Sequence, residues 1–185
     1  MSIIVFLDRD GVINHDSPDY IKSPEEFHFI DGSPEAVALL NAHGFEVILI
    51  TNQSMIGRGM VPQSNLDAIF EKMHAGIAAA GGEIKDIFYC PHTPDAGCHC
   101  RKPQPGMIRD ACARHGIDPA RSVMVGDSTK DMGCGRNAGC DAVALVATGN
   151  GEKSLAEMIR QGCPPEITGA DLMDVARQLI ARYPG

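Results

Sequence analysis

The feature of this sequence that most constrains its fold is a repeated alternation of short apolar runs with longer amphipathic segments. Short runs that are mostly apolar are typical of strands buried on both faces of a sheet. Five such runs predict strands, at residues 3–7, 45–50, 84–89, 122–126 and 141–147. Because helical segments separate these runs, the sequence predicts an α/β fold with a doubly wound, mainly parallel sheet flanked by helices.

The segments between the strands carry helix signals. Helices are predicted at residues 33–44, around 66–77, at 106–115 and 131–139, with two more near the C-terminal end. In the first of these last two, residues 153–160 are interpreted as a solvated face. No repeat, low-complexity tract or linker interrupts the pattern, so we expect a single domain over residues 1–185.

The acidic balance of the chain limits its partners. The sequence has 24 Asp and Glu against 16 Lys and Arg, a formal net charge of −8. This charge argues against a nucleic acid or an anionic membrane as the main partner. Aromatic residues make up only 5% of the chain, with no Trp, so surfaces on which bases could stack are not expected either.

The N-terminal segment and the cysteines bear on location. The first apolar run, residues 3–7, is too short for a signal peptide or a membrane span. Without an export signal, the 7 Cys residues are expected to be thiols or metal ligands, and their odd number fits this. We therefore expect a cytoplasmic protein.

Carboxylates follow two of the predicted strands. Asp8 and Asp10 come directly after the first strand, and Asp127 and Asp131 follow the fourth. Each acid taken alone is equally well explained as a turn residue or a helix cap. In a parallel sheet, however, both strand ends lie at the same edge, where ligands bind. Acids that converge there would repel one another unless a cation lay between them, and hard oxygen ligands favour Mg²⁺.

A loop rich in Cys and Pro follows the third predicted strand. It contains Cys90, His92, Cys98 and Cys100. Three thiols and one imidazole are typical of a closed, structural zinc site. The alternative, that these Cys residues are small buried hydrophobes, suits isolated Cys better than four ligands in one short loop. Because Arg101 and Lys102 follow without a spacer, we expect zinc to fix the loop with both cations facing a phosphate pocket.

Four short motifs, in their order and spacing, resemble those of the haloacid dehalogenase superfamily. They are Asp8-x-Asp10-Gly11-Val12, Thr51 after a strand, Lys102, and Gly126-Asp127-x-x-x-Asp131. The resemblance covers most of the chain and implies the haloacid dehalogenase-like Rossmannoid fold. It also implies a phosphatase that works through an aspartyl-phosphate intermediate. The segments between the motifs are short, so no cap domain is expected.

The resemblance assigns roles to the acidic motif residues. It makes Asp8 the nucleophile and a Mg²⁺ ligand. Asp10 would act as general acid and then general base, and its backbone carbonyl would also bind Mg²⁺. Asp127 would complete the ligands of the ion, with Asp131 behind it.

The same resemblance implies contacts to the substrate. Thr51, Asn52 and Lys102 would hold the phosphoryl oxygens. Contacts to the rest of the substrate are implied for Asp16, Ser17, Asp19, Gln53, Ser54 and Arg101. The loop at residues 16–19 is equally well explained as a solvated polar turn.

Two branches of the superfamily resemble the chain in the zinc loop, the phosphatases of heptose bisphosphates and those of histidinol phosphate. The strings Ile-Gly-Arg-Gly at 56–59 and Lys-Pro-Gln-Pro-Gly-Met at 102–107 favour the heptose branch. That branch implies removal of the 7-phosphate from a heptose 1,7-bisphosphate, a step that would supply a lipopolysaccharide or S-layer sugar precursor. One departure is Ser128, where many heptose-branch sequences have Lys; here Lys130 follows two residues later.

The expected partner is therefore a small phosphorylated sugar. A zinc-loop interaction module without turnover is an alternative of a different class. Loss of phosphate release from a generic ester on Asp8→Asn would distinguish the enzyme from the module. No coiled-coil pattern or long edge strand is evident, which favours a monomer.

Overall fold

The computed structural model describes residues 2–184, and a sheet of six strands lies at its centre. The strands are β1 (Ile4–Leu7), β2 (Glu46–Asn52), β3 (Asp86–Cys90), β4 (Ser122–Gly126), β5 (Ala142–Val146) and β6 (Ile167–Gly169). They lie in the order β3-β2-β1-β4-β5-β6, and every neighbouring pair is parallel. The predicted α/β fold is thereby confirmed. The strand order reverses beside β1, where sheets of this kind form a crevice.

Helices cover both faces of this sheet. The α-helices in the described residues are α1 (Ser33–Ala42), α2 (Ser54–Gly57), α3 (Gln63–Ala79), α4 (Gly106–His115), α5 (Thr129–Ala138), α6 (Gly151–Arg160) and α7 (Leu172–Arg182). Val5 and Leu7 of β1 pack with residues of α1, α3 and α7, whereas Ile4 and Phe6 pack with residues of α4, α5 and α6. Both faces of β1 are therefore buried, which explains why its sequence is apolar throughout. None of these helices is long and apolar enough to cross a membrane.

A short helix, α2, was not predicted, and one strand and one helix face also differ from the sequence-based expectations. The sixth strand, β6, was missed; it lies between α6 and α7 and pairs with β5 at the edge of the sheet. Its three residues are too few to form a recognisable apolar run. The interpretation of residues 153–160 as solvated was wrong in part, because Ser154 and Met158 of α6 are buried. Helix α6 is amphipathic, and its apolar side packs on the sheet.

The strand register brings the predicted motif residues to one edge. Leu7 of β1 lies opposite Leu49 of β2 and Val125 of β4. The Asp8 backbone N–H donates to the Val125 carbonyl at 2.9 Å. Asp8 and Asp127 are thus the first residues beyond the carboxyl ends of adjacent strands.

Candidate active site

Lys102 is the central cation at this edge of the sheet. Its ammonium nitrogen lies 2.8 Å from Asp8 Oδ1 and 2.6 Å from Asp131 Oδ1, and it donates to the Ile50 carbonyl at 2.9 Å. The two carboxylates form ion pairs with the ammonium group, and the carbonyl accepts one of its hydrogens. Burial alone would lower the pKa of Lys102, but Asp131 and Asp8 outweigh burial and raise it. Lys102, only 3% exposed, is therefore a fixed positive charge.

Asp131 is occupied at both of its oxygens. Oδ1 faces Lys102, while Oδ2 accepts from the Ser128 backbone N–H at 3.0 Å and from the Ser128 hydroxyl at 2.6 Å. Ser128 is also the N-cap residue of α5, and the two side chains form a reciprocal capping box. Asp131 thus orients Lys102 and stabilises the first turn of α5. Ser128, which stands where many heptose-branch sequences have Lys, takes part in this cap.

The residues between β1 and β4 fit a divalent cation. Carboxylate oxygens of Asp8, Asp127 and Asp131 all lie within 4.8 Å of one another, and the three residues are buried. Burial and the neighbouring charge of Asp131 raise the pKa of Asp8 well above its usual range and that of Asp127 to about 6. Like charges in one buried place are unfavourable without a counter-ion. With Asp131 engaged by Lys102, the oxygens of Asp8 and Asp127 have the chemistry to hold Mg²⁺.

Two glycines leave room for the Asp127 side chain, and Asn150 fixes its orientation by hydrogen bonds. A Cβ atom on Gly11 or Gly149 would lie 2.2 Å from Asp127 Oδ2, so only glycine permits this close approach. Both glycines also have positive φ, +80° and +60°, which glycine adopts without steric cost. Asn150 donates to the same oxygen from its backbone N–H at 2.8 Å and from Nδ2 at 3.1 Å.

Asp10 is surrounded by hydrogen-bond donors. Arg9 Nη2 lies 2.8 and 3.0 Å from its two oxygens, and Asn14 Nδ2 lies 2.9 Å from Oδ1. Gln53 Nε2 donates to Oδ2 at 2.9 Å. Burial would raise the pKa of Asp10, but Arg9 and these amide hydrogen bonds lower it. Asp10 is therefore a carboxylate in this resting site and can accept a proton.

Two amide side chains at the end of β2 support other site residues. Gln53, which is 3% exposed, donates to Asp10 and, at 2.9 Å, to Thr51 Oγ1. The Thr51 hydroxyl accepts this bond and donates to no group in the described residues. Asn52 accepts from the Lys102 backbone N–H at 3.1 Å and donates to the Lys102 carbonyl at 3.4 Å. The sequence predicts substrate contacts for both amides; the structure also makes them links between β2, Asp10 and Lys102.

A cavity of about 430 Å³ opens above these side chains. The predicted site residues that line it are Asp8, Asp10, Asp16, Ser17, Asn52, Gln53, Ser54, Arg101, Lys102 and Asp127. Thr51 is fully buried, and Asp19 is an exposed residue outside the lining. Lining residues that the sequence analysis missed include Tyr20, Lys130, Asn150, Lys153 and Glu157. Several of these lie at the start of α5 and α6, which begin at the carboxyl edge of the sheet. Because ligands bind at this edge in parallel sheets, the residues that follow β4 and β5 could have been predicted to line the site.

The predicted zinc ligands form a compact cluster beside this cavity. Cys100 Sγ lies 3.2 Å from Cys90 Sγ, 3.5 Å from Cys98 Sγ and 3.3 Å from His92 Nδ1. Sulfurs that share a tetrahedral zinc ion lie about 3.8 Å apart, given Zn–S bonds of about 2.3 Å. Burial would raise the pKa of the Cys98 thiol, but hydrogen bonds involving the backbone of Arg101 and the neighbouring Cys residues lower it to about 6. The geometry and the donor set fit zinc.

This cysteine loop runs directly into the cavity. Arg101 follows Cys100 in sequence, and its Nη1 donates to the His92 carbonyl at 3.1 Å. Arg101 and Lys102 both line the cavity. One continuous loop therefore joins the Cys and His cluster to the cavity.

Comparison with protein families agrees with this arrangement. A family model described as HAD-hydrolase-like, where HAD abbreviates haloacid dehalogenase, matches residues 99–175, which include Lys102, Asp127 and Asp131. The fold, the acid–lysine site and this match define a phosphatase of the haloacid dehalogenase superfamily. The predicted enzyme class is confirmed, and the alternative of a module without turnover is set aside.

Named relatives are similar along almost the whole chain. The D-glycero-beta-D-manno-heptose-1,7-bisphosphate 7-phosphatase of Bordetella bronchiseptica is 48% identical over 179 residues, covering 96% of this chain and 97% of that protein. The enzyme of the same name from Pseudomonas putida is 44% identical over 179 residues, covering 96% and 99%. The chain belongs to the family that these phosphatases form.

Solved structures show the same similarity. The crystal structure of D,D-heptose 1,7-bisphosphate phosphatase from B. bronchiseptica, complexed with magnesium and phosphate, has a TM-score of 0.91 at 46% identity and covers 99% of this chain and 100% of that one. The corresponding enzyme from Burkholderia thailandensis has a TM-score of 0.74 at 36% identity, covering 97% and 99%.

Proposed function

We propose that the chain is a Mg²⁺-dependent phosphatase that removes the 7-phosphate of D-glycero-D-manno-heptose 1,7-bisphosphate through an aspartyl-phosphate intermediate. The observation that carries the proposal is the placement of Asp8, Lys102 and Asp127 around one cavity at the carboxyl edge of the sheet. The substrate follows from the names of the relatives, which match nearly the whole chain.

Asp8 is the proposed nucleophile. Its Oδ1 is held by Lys102 at 2.8 Å and by the Arg9 backbone N–H at 2.7 Å. Its Oδ2 has no hydrogen-bond partner among residues 2–184, and Asp8 lines the cavity. In the first step an Asp8 oxygen forms a bond to phosphorus while the bond from phosphorus to the sugar oxygen breaks. In the second step water attacks phosphorus and the bond to Asp8 breaks.

Asp10 is the proposed proton carrier between these steps. It gives a proton to the departing sugar oxygen and then takes one from the attacking water. The donors around Asp10 keep its pKa low in the resting site, so it must be protonated as substrate binds. The negative charge of an arriving phosphate favours that protonation, because a nearby like charge raises the pKa of a carboxyl group.

The phosphoryl oxygens are held by Thr51, Asn52 and Lys102. The Thr51 hydroxyl accepts from Gln53 and would donate its own hydrogen, but Thr51 is fully buried and lies outside the lining of the cavity, so this contact would require the site to adjust as substrate binds. Lys102 supplies a fixed positive charge, and Asn52 holds the Lys102 backbone in place. Mg²⁺ bound by Asp8, the Asp10 carbonyl and Asp127 would neutralise phosphoryl charge in the transition state.

The remaining lining residues are proposed to contact the sugar and its second phosphate. Arg101 would bind phosphate, and Asp16, Ser17, Gln53 and Ser54 would contact hydroxyl groups. Asp19 lies outside the lining of the cavity in this structure, so its contact would require movement of its loop. Gln53 has already used both amide hydrogens, so only its carbonyl oxygen remains for a hydroxyl donor.

A comparison of two substrates tests this function. Phosphate release from D-glycero-D-manno-heptose 1,7-bisphosphate and from histidinol phosphate should be measured side by side, with Asp8→Asn as the inactive control. We expect kcat/KM for the heptose substrate to be higher by about 100-fold or more, because the site contains groups for a second phosphate and several hydroxyls. Phosphorus NMR should then find the 1-phosphate intact. Equal or reversed preference, or loss of the 1-phosphate, would contradict the proposal.

We further propose that Cys90, His92, Cys98 and Cys100 bind a structural zinc ion. Four good ligands leave no open position for water, so the ion would have no direct part in the reaction. Its role would be to fix the loop that carries Arg101 and Lys102 into the cavity.

Removal of zinc should therefore lower activity before it unfolds the sheet. We expect zinc-free protein, with Mg²⁺ restored, to lose turnover by about 10-fold or more, because small displacements of positioning groups are costly to rate. Far-UV circular dichroism should remain near that of the zinc-bound protein. Full turnover in protein shown by metal analysis to lack zinc would refute the proposal.

A further inference from the structure

The turn between β5 and α6 touches three parts of the site, although no motif pointed to it. The Thr148 hydroxyl donates to the Gly11 carbonyl at 2.6 Å. Gly149 lies so close to Asp127 and Gly11 that a Cβ atom added to it would clash with both. Asn150 reaches Asp127 and also Asp16.

The side chain of Asn150 is directed at carboxylates and not at its own helix. Asn150 is the N-cap residue of α6, a position where Asn commonly accepts a backbone hydrogen bond. Here it makes no side-chain cap bond. Instead, Nδ2 donates to Asp127 Oδ2 at 3.1 Å and to Asp16 Oδ2 at 3.3 Å. Capping therefore does not explain this side chain.

These hydrogen bonds decide which oxygen of Asp127 can bind a metal. Oδ2 accepts two hydrogens from Asn150, at 2.8 Å from the backbone and 3.1 Å from the side chain. Oδ1 has no hydrogen-bond partner in the described part of the chain. Asp127 is thus prepared to offer a single oxygen in a fixed direction.

We propose that Asn150 is a positioning residue that sets Mg²⁺ affinity by fixing Asp127 for one-oxygen coordination, and that through Asp16 it also holds the substrate loop at residues 16–19. The inference rests on the proposed function, because it concerns the same Mg²⁺ site. Partners that orient a metal ligand commonly change metal affinity by about 10- to 100-fold when they are removed.

The test is calorimetric titration of the protein with MgCl₂ in the absence of substrate. We expect Asn150→Ala to weaken Mg²⁺ binding by about 10-fold or more. Asn150→Ser, which keeps a residue suited to a helix N-terminus, should have an effect of the same order. Asn65→Ala is the matched control: its side chain donates to the Lys22 carbonyl at 3.0 Å, away from the cavity. This control should bind Mg²⁺ like the wild type.

The two halves of the proposal have separate measurements. With Mg²⁺ at saturation, Asn150→Ala should recover most of kcat but keep a KM several-fold above that of the wild type, because the loop contact through Asp16 is still lost. Wild-type Mg²⁺ affinity in both folded Asn150 variants would overturn the first half. An unchanged KM would overturn the second. Failure of the wild type itself to bind Mg²⁺ would overturn the proposed function instead.

Discussion

Asp8→Asn is expected to abolish phosphate release and, at the same time, to stabilise the metal-free protein. The nucleophile is lost, so turnover should fall by about 10⁴-fold or more. Burial and the charge of Asp131 raise the pKa of Asp8 well above its usual range, so the ionised form is less favourable in the folded protein than in the unfolded chain. Wild-type stability therefore decreases as pH rises from the unfolded pKa to the raised folded pKa. A neutral Asn avoids this cost.

Thermal unfolding of both proteins without metal, across pH, measures this effect. At pH 7 to 8 we expect the melting temperature of Asp8→Asn to exceed that of the wild type by about 2–5 °C. The difference should shrink in acid, where the Asp8 carboxyl is neutral, and also on addition of Mg²⁺ to the wild type. Asp110→Asn, on the exposed face of α4, is the control and should change neither property. A lower melting temperature for Asp8→Asn under metal-free conditions would show that the ionised Asp8 carboxylate does not destabilise the folded protein.

Lys102→Met should cost both stability and activity. It leaves Asp8 and Asp131 buried without the cation that lies 2.8 and 2.6 Å from them. Removing one partner of a buried ion pair typically costs about 3–5 kcal/mol. Loss of the charge that holds the phosphoryl group should also reduce kcat by about 10³-fold. Denaturant unfolding and steady-state kinetics measure the two effects separately.

A second substitution distinguishes these effects. Adding Asp131→Asn to Lys102→Met removes one uncompensated charge, so part of the stability should return while activity does not. Lys130→Met is the stability control, since Lys130 is exposed and makes no ion pair in the described residues; its unfolding free energy should stay within about 0.5 kcal/mol of the wild type. If Lys102→Met were as stable as that control, Lys102 would not be the counter-ion of the acid cluster.

Much of the catalytic edge could be predicted because its residues directly follow buried strands. Asp8 and Asp127 each come after an apolar run, and parallel register brings such positions together. The metal-binding prediction for Cys90, Cys98 and Cys100 has a different basis, since their local spacing already limits the metals they could bind.

The remaining features depend on tertiary neighbours that no local pattern contains. Asn52 holds the Lys102 backbone fifty positions away, and Asn150 reaches Asp127 across the intervening α5 and β5. Strand β6 has only three residues, and its pairing with β5 determines it more than its own composition does. The inward side of α6 was missed because charged residues are interspersed among its apolar ones, and the burial of Ser154 and Met158 depends on packing against the rest of the fold.

The pairing of β1 with β4 has a consequence for biosynthesis. Leu7 is aligned with Val125, so one side of the first strand has no partner until most of the polypeptide has left the ribosome. Pairings of such long sequence separation form slowly, and an open strand edge invites association with other nascent chains. The same long-range pairing means that a truncated translation product ending before β4 has Asp8 but no Asp127, and therefore cannot assemble the metal-binding pair.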